Sequence, residues 1–146
     1  MTDVLLLNTN DGGEMEIKNG VVTMSDGLEN VVHLSLFGGN EDDSGSEAAK
    51  PKQWWANFGE LDPARHLRSA FQFLVRSIPC TSGNLRLVQE AAESDLAWML
   101  ESIATSVSVL CSIPALNTLK TEVNLVVNGT LYPFTFTTAW GARAQV

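Results

Sequence analysis

The chain has 146 residues, 45% of them hydrophobic, and a formal net charge of -8. That length fits one domain, 1–146, able to bury about two thirds of its unfolded surface. The acidic balance argues against nucleic acid and anionic membrane surfaces, which both need a surplus of Lys and Arg, and no apolar run approaches the roughly 20 residues that span a bilayer.

Met1-Thr2-Asp3 leads straight into the short apolar run Val4 to Leu7. Without a basic n-region this is not a signal peptide, so a cytosolic protein is expected. Val4 to Leu7 predicts a first strand, ended by the turn-forming Asn10-Asp11-Gly12-Gly13. Glu14 to Lys18 and Val21 to Met24 flank Asn19-Gly20, the strongest short hairpin signal. A two-residue loop pairs Lys18 with Val21, Ile17 with Val22 and Met15 with Met24. That register collects Met15, Ile17, Val22 and Met24 on one face and sends Glu16 and Thr23 to the other.

Asp26 and Glu29 form a capping box ahead of Leu28, Val31, Val32 and Leu36, which predicts a short helix stopping at Gly38-Gly39. Residues 40–52 are acidic and polar, with Glu41, Asp42, Asp43 and Glu47, and predict a solvated, flexible loop. Their order is not that of a calcium loop. Trp54, Trp55 and Phe58 follow. Asp62-Pro63 then starts a second helix with an apolar stripe of Leu67, Phe71, Leu74 and Ile78. Arg65, Arg68, Gln72 and Arg76 form a second stripe on it, either a solvated face or a docking surface for an acidic partner.

Ser82 to Ile113 is the organising stretch. Leu85, Val88, Ala92, Leu96, Met99 and Ile103 recur at steps of three and four, predicting one long amphipathic helix capped by Ser82. Glu90, Glu93, Ser94, Ala97 and Glu101 fall on its polar side. Val107, Val109, Cys111 and Ile113 then alternate with Ser106, Ser108, Leu110 and Ser112, as in a half-buried strand that Pro114 closes.

The last segment is a hairpin about Asn128-Gly129. Pairing outward sets Val127 opposite Thr130, Leu125 opposite Tyr132 and Val123 opposite Phe134, with Phe136 continuing that face. Asn124 and Pro133 become a non-hydrogen-bonded pair, so the proline's missing N–H points away from the partner and marks the final strand as an edge. Such an edge is either protected by its proline or completed by another chain. Trp140 continues the aromatic face near a C-terminus with little left to bury it. Together the elements predict an α+β fold: a largely antiparallel sheet from N- and C-terminal hairpins, three helices packed on it, and a long central helix leading into a buried strand.

Residues that carry chemistry are sparse. There is no nucleophile elbow, P-loop, dinucleotide fingerprint or H-E-x-x-H helix. His33 and His66 are isolated and expected to be structural. Cys80 and Cys111 are too few for a metal framework and are expected as buried free thiols. Glycoside hydrolysis needs paired carboxylates facing a groove, and Glu101, near Trp98, lies on a polar face. No catalytic, cofactor-binding or metal-binding residue is expected.

The ordered set Asp26-Gly27-Leu28-Glu29, Leu34-Ser35-Leu36-Phe37, Trp54-Trp55, Leu96-Ala97-Trp98-Met99-Leu100, Ser106-Val107-Ser108-Val109, Phe134-Thr135-Phe136 and Trp140 resembles the small baseplate (wedge) protein family of Mu-like contractile-tailed bacteriophages. That family is similar to the small wedge protein of T-even phage baseplates. The resemblance implies a non-enzymatic virion subunit of the tail baseplate, assembled in the host cytoplasm and present in six copies. It would clamp larger wedge proteins around the tail axis, near the central hub or spike, and help initiate the tail sheath. The wider family usually carries Glu-Pro-Arg between the long helix and the next strand, where this chain has Ala104-Thr105-Ser106. Any clamp must therefore use other groups. The candidates are Trp54, Trp55, Phe58, Arg65, Arg68, Arg76, Tyr132, Phe134, Phe136 and Trp140, since indoles and guanidinium groups dominate interface energetics. A cytosolic tail-assembly chaperone and a tail-associated peptidoglycan hydrolase are the alternatives.

Overall fold

The computed structural model describes residues 3–9, 12–25, 27–37, 59, 61–62 and 69–140. The expected Asp26 cap, the Gly38-Gly39 stop, loop 40–52, the Asp62-Pro63 helix start beyond Asp62, and His66 lie outside or at the margin of these residues. The fold is α+β, and every strand pair is antiparallel.

The N-terminal part is a ribbon of short strands: β1 (Asp3–Val4), β2 (Leu6–Thr9), β3 (Gly12–Met15), β4 (Ile17–Lys18), β5 (Val21–Val22) and β6 (Met24–Ser25). Asn19 and Gly20 take positive φ angles of 52° and 76°, the conformation this tight turn demands. Ile17 then pairs with Val22 and Lys18 with Val21, as the turn chemistry requires. Beyond Glu16 the hairpin forks. Met15 pairs with Leu6 and Met24 with Val4, not with each other. The amide of Leu5 donates to Thr23 O (2.9 Å), that of Glu16 to Leu5 O (3.3 Å) and that of Thr23 to Glu16 O (2.8 Å), closing a three-way junction. The first strand needs partners for its own backbone groups, and it finds them by splitting the two arms.

Helix α1 (Leu28–Phe37) follows Gly27, whose φ of +86° suits glycine, and buries Val32 and Leu36. Asn30 donates from Nδ2 to Asp3 Oδ2 (3.0 Å) and to Val4 O, fastening α1 to the ribbon. Helices α2 (Ala70–Ser77) and α3 (Ser82–Leu96) pack against one another and beneath the C-terminal sheet. The cap of α3 is Thr81 rather than Ser82: its backbone is extended and its Oγ1 accepts from the Asn84 amide (3.2 Å). The long helix also breaks earlier than its periodicity predicts. Ala97 donates to Ser94 O, a bond three residues back that tightens the turn, and a single-turn helix, α4 (Met99–Ser102), resumes after Trp98. The predicted apolar positions nonetheless face inward, with Val88, Ala92, Leu96 and Met99 fully buried.

Strands β7 (Ser106–Ala115), β8 (Thr118–Val127) and β9 (Thr130–Ala139) form one sheet in the order β7-β8-β9. The β8–β9 register is the predicted one, from Val127↔Thr130 through Leu125↔Tyr132 and Val123↔Phe134 to Thr121↔Phe136. Pro114 does not close β7. The strand continues to Ala115 through an irregularity after Ser112, tolerated because β7 is an outer strand. Val109, Cys111, Leu119, Thr121, Val123, Leu125 and Phe136 line the inner face with Val32, Leu36, Phe71, Val75 and the α3 stripe. Each fully buried aliphatic or aromatic side chain there contributes about 1.5–3 kcal/mol relative to exposure.

Candidate interaction surface

The two edges of the sheet differ. At β7 the outward amide of Cys111 donates to Gln89 Oε1 of α3 (3.1 Å), so the helix serves part of that edge. At β9 the pairing places even-numbered residues in hydrogen-bonded pairs with β8, because the two-residue turn makes Val127↔Thr130 the closing pair. The N–H and C=O groups of Leu131, Thr135, Thr137 and Ala139, and the C=O of Pro133, therefore point away from the sheet. These residues are all exposed. Pro133 sits opposite Asn124, in phase with this pattern, and removes one outward donor without touching the β8 ladder.

The aromatic groups of β9 lie on the inner face. Tyr132 and Phe134 are half-buried against the core, and Phe136 is buried. Trp140, expected to be left over for a neighbour, belongs to the chain's own interior. It is 0% exposed, its Nε1 donates to Ile78 O (2.9 Å), and its backbone amide donates to Asn117 O (2.8 Å). The C-terminal end of α2 and the β7–β8 turn supply the cover that the sequence did not reveal. Trp140 and Phe136 are thus core residues rather than contact residues. Arg76 is half-buried in the last turn of α2, where a cation complements the helix dipole. Trp54, Trp55, Phe58, Arg65 and Arg68 lie outside the described residues.

A second exposed surface is the ribbon. Met15, Ile17 and Met24 are 58%, 61% and 51% exposed along the forked ribbon. Glu16, at the fork, is half-buried. Its carboxylate accepts from Thr23 and pairs with Lys18 Nζ at 3.1 Å, contacts that hold its pKa below the usual carboxylate value.

Asp95 and Cys111 are titratable side chains with partners inside the fold. Asp95 is 8% exposed and accepts the amides of Ala70 (3.1 Å) and Phe71 (2.9 Å) at the start of α2. Burial pushes its pKa up to about 7, against the pull of both amides. No expectation from the sequence covered Asp95, although its place on the buried stripe, three residues after Ala92 and four before Met99, was the available signal. The Cys111 thiol lies 3.8 Å from Thr121 Oγ1, and burial pushes it up to about 11. Glu90 and Glu101 are exposed, and Glu90 pairs with Arg86 at 2.7 Å. Among the described residues no three His, Cys, Asp or Glu side chains are grouped to hold a metal ion, and no helix is long and apolar enough to cross a membrane.

No family model, curated protein or solved structure matches the chain. Among the described residues the fold presents a ten-residue outer strand with no strand paired beyond it, and an exposed apolar ribbon.

Proposed function

We propose that the chain is a structural subunit of a contractile phage tail baseplate that works by binding. In this reading it clamps larger wedge proteins around the tail axis, contacts the hub or spike and the sheath, and supports sheath initiation. Six copies occupy the finished particle. The observation that carries the proposal is the β9 edge, whose outward backbone groups can accept a strand from a neighbouring chain. The ordered resemblance of Asp26-Gly27-Leu28-Glu29, Trp98 and Phe134-Thr135-Phe136 to the small wedge proteins supports the choice of assembly. The exposed Met15, Ile17 and Met24 add a surface that a second partner can cover, and methionine suits adaptable contacts.

The test is co-elution of the purified chain with the other wedge proteins of the same phage on size exclusion. A stable complex, retained in finished particles, is the expected result. Separate elution overturns the proposal, and loss of the chain from mature particles assigns it to assembly alone.

A further inference from the structure

Helix α1 meets the rest of the molecule through a cluster of rings. His33 lies 5.0 Å from Phe37 and 5.9 Å from Phe136 between ring centroids, and Phe37 packs edge-on to Phe71 (5.5 Å) and Phe136 (6.0 Å). One imidazole thus occupies a junction where α1, α2 and β9 converge. His33 is 7% exposed, and its buried Nδ1 has no hydrogen-bond partner. A phenylalanine would fill such a place without leaving a ring nitrogen unsatisfied, so the histidine is not there for packing alone.

We propose that His33 makes the docking of α1 acid-sensitive: protonation of its imidazole uncouples α1, together with the ribbon bonded to it, from α2 and β9. A proton added to the buried Nδ1 of His33 meets no acceptor among the surrounding phenyl rings. Among the described residues, the neighbouring elements offer little to offset that cost. β9 carries no charged residue and only Tyr132 as a titratable one. The one charged residue of α2 is Arg76, in its last turn, and it brings no negative charge to the imidazolium. On α3, Arg86, Glu90 and Glu93 are exposed, and Asp95, raised to about 7 by burial, carries its own proton in the acid range and is held by two amides. Lys120 and Glu122 pair with each other on the outer face of β8. On α1 itself Glu29 is the one acid, four residues back. Burial holds the His33 pKa below its ordinary 6.5. The ribbon moves with α1 because Asn30 ties the helix to Asp3 and Val4.

The sign follows from linkage. A base whose folded pKa is depressed binds its proton better in the opened state. Docking is therefore intact above 6.5 and weakens as pH falls below it. The opening constant rises about tenfold per pH unit until the folded imidazole itself titrates.

Hydrogen exchange of the intact chain, corrected for intrinsic rates, tests this between neutral pH and about pH 5. The α1 amides are expected to lose about tenfold in protection while those of β8 keep theirs, and His33→Phe is expected to abolish the pH dependence. A parallel variant, His33→Leu, keeps the test open if the larger ring fails to fold. Asp95→Asn serves as a control, because that group acts at α2 and with the opposite sign. The proposal is overturned if α1 in wild type and both His33 variants responds to pH alike. It is equally overturned if α1 and β8 lose protection together, or if the His33 ring titrates at its ordinary value with the α1 amides unchanged.

Discussion

Asp95 on α3 accepts the amide of Phe71 on α2 at 2.9 Å, supplying from a neighbouring helix the cap that Ser69 does not provide. Ser69 occupies the cap position but its hydroxyl donates to Ser35 O (3.3 Å), so the first amides of α2 turn to Asp95. One carboxylate thereby fixes the start of one helix and its packing against another. Asp95→Ala is expected to cost about 1–2 kcal/mol, read by urea unfolding, with α2 the element most affected in hydrogen exchange.

The same carboxylate makes stability depend on pH. Its folded pKa of about 7 exceeds its unfolded value of 3.8, so the native state holds a proton that the unfolded state releases. The stabilisation is complete below 3.8 and is lost as pH rises toward about 7. Wild type is therefore expected to lose stability relative to Asp95→Asn across that window. Denaturant midpoints measured at pH steps check this, and a constant difference between the two proteins would remove the linkage.

Trp140→Phe is expected to destabilise the chain by about 1–3 kcal/mol, because it leaves the Ile78 carbonyl without its indole donor. A loss of stability with unchanged affinity for wedge partners would identify it as a core residue. Reduced affinity at full stability would assign it to a contact surface.

The sequence was most informative where local chemistry acts alone. Asn19-Gly20 and Asn128-Gly129 set their turns, and the flanking registers followed because a two-residue loop leaves no freedom in pairing. The apolar stripe of α3 and the alternation of β7 were legible for the same reason. What escaped depends on segments far apart in sequence. The pairing of Met15 with Met24 yields to the first strand, the burial of Trp140 needs α2, and the bend at Ala97 and Trp98 accompanies an indole bond to Ser35 Oγ (3.2 Å) from 63 residues away. Of the candidate surface, Pro133 marks the β9 edge in the sequence, whereas nothing local marks the exposure of Met15, Ile17 and Met24. An alternating pattern indicates which residues share a face but not whether that face is covered.

The two thiols should react at different rates. Cys111 is buried and its thiol is pushed up to about 11, first by burial and also by the nearby charge of Glu93, so little thiolate forms at neutral pH. Cys80 is half-buried. An aromatic disulfide reagent is expected to titrate one thiol in the native chain and both in denaturant, with peptide mapping placing the native label on Cys80. Equal labelling of both cysteines in the native protein would mean that β7 opens far more readily than its packing against α3 suggests.

The β9 edge allows a substitution that separates folding from binding. Thr135 and Thr137 share the phase of Pro133, so their N–H groups point away from β8 and a proline at either position leaves the internal ladder whole. Thr135→Pro and Thr137→Pro are each expected to change stability by no more than about 1 kcal/mol. Each also removes a donor that an added strand would need. Phe134→Pro, one residue out of phase, takes an amide from the pair with Val123 and is expected to unfold the hairpin. If neighbouring subunits complete this sheet, both threonine variants should elute as folded monomers yet fail to join the wedge complex, with the double variant the more severe. Joining at wild-type affinity would show that the clamp does not use the β9 edge, and would direct the search to the ribbon bearing Met15, Ile17 and Met24.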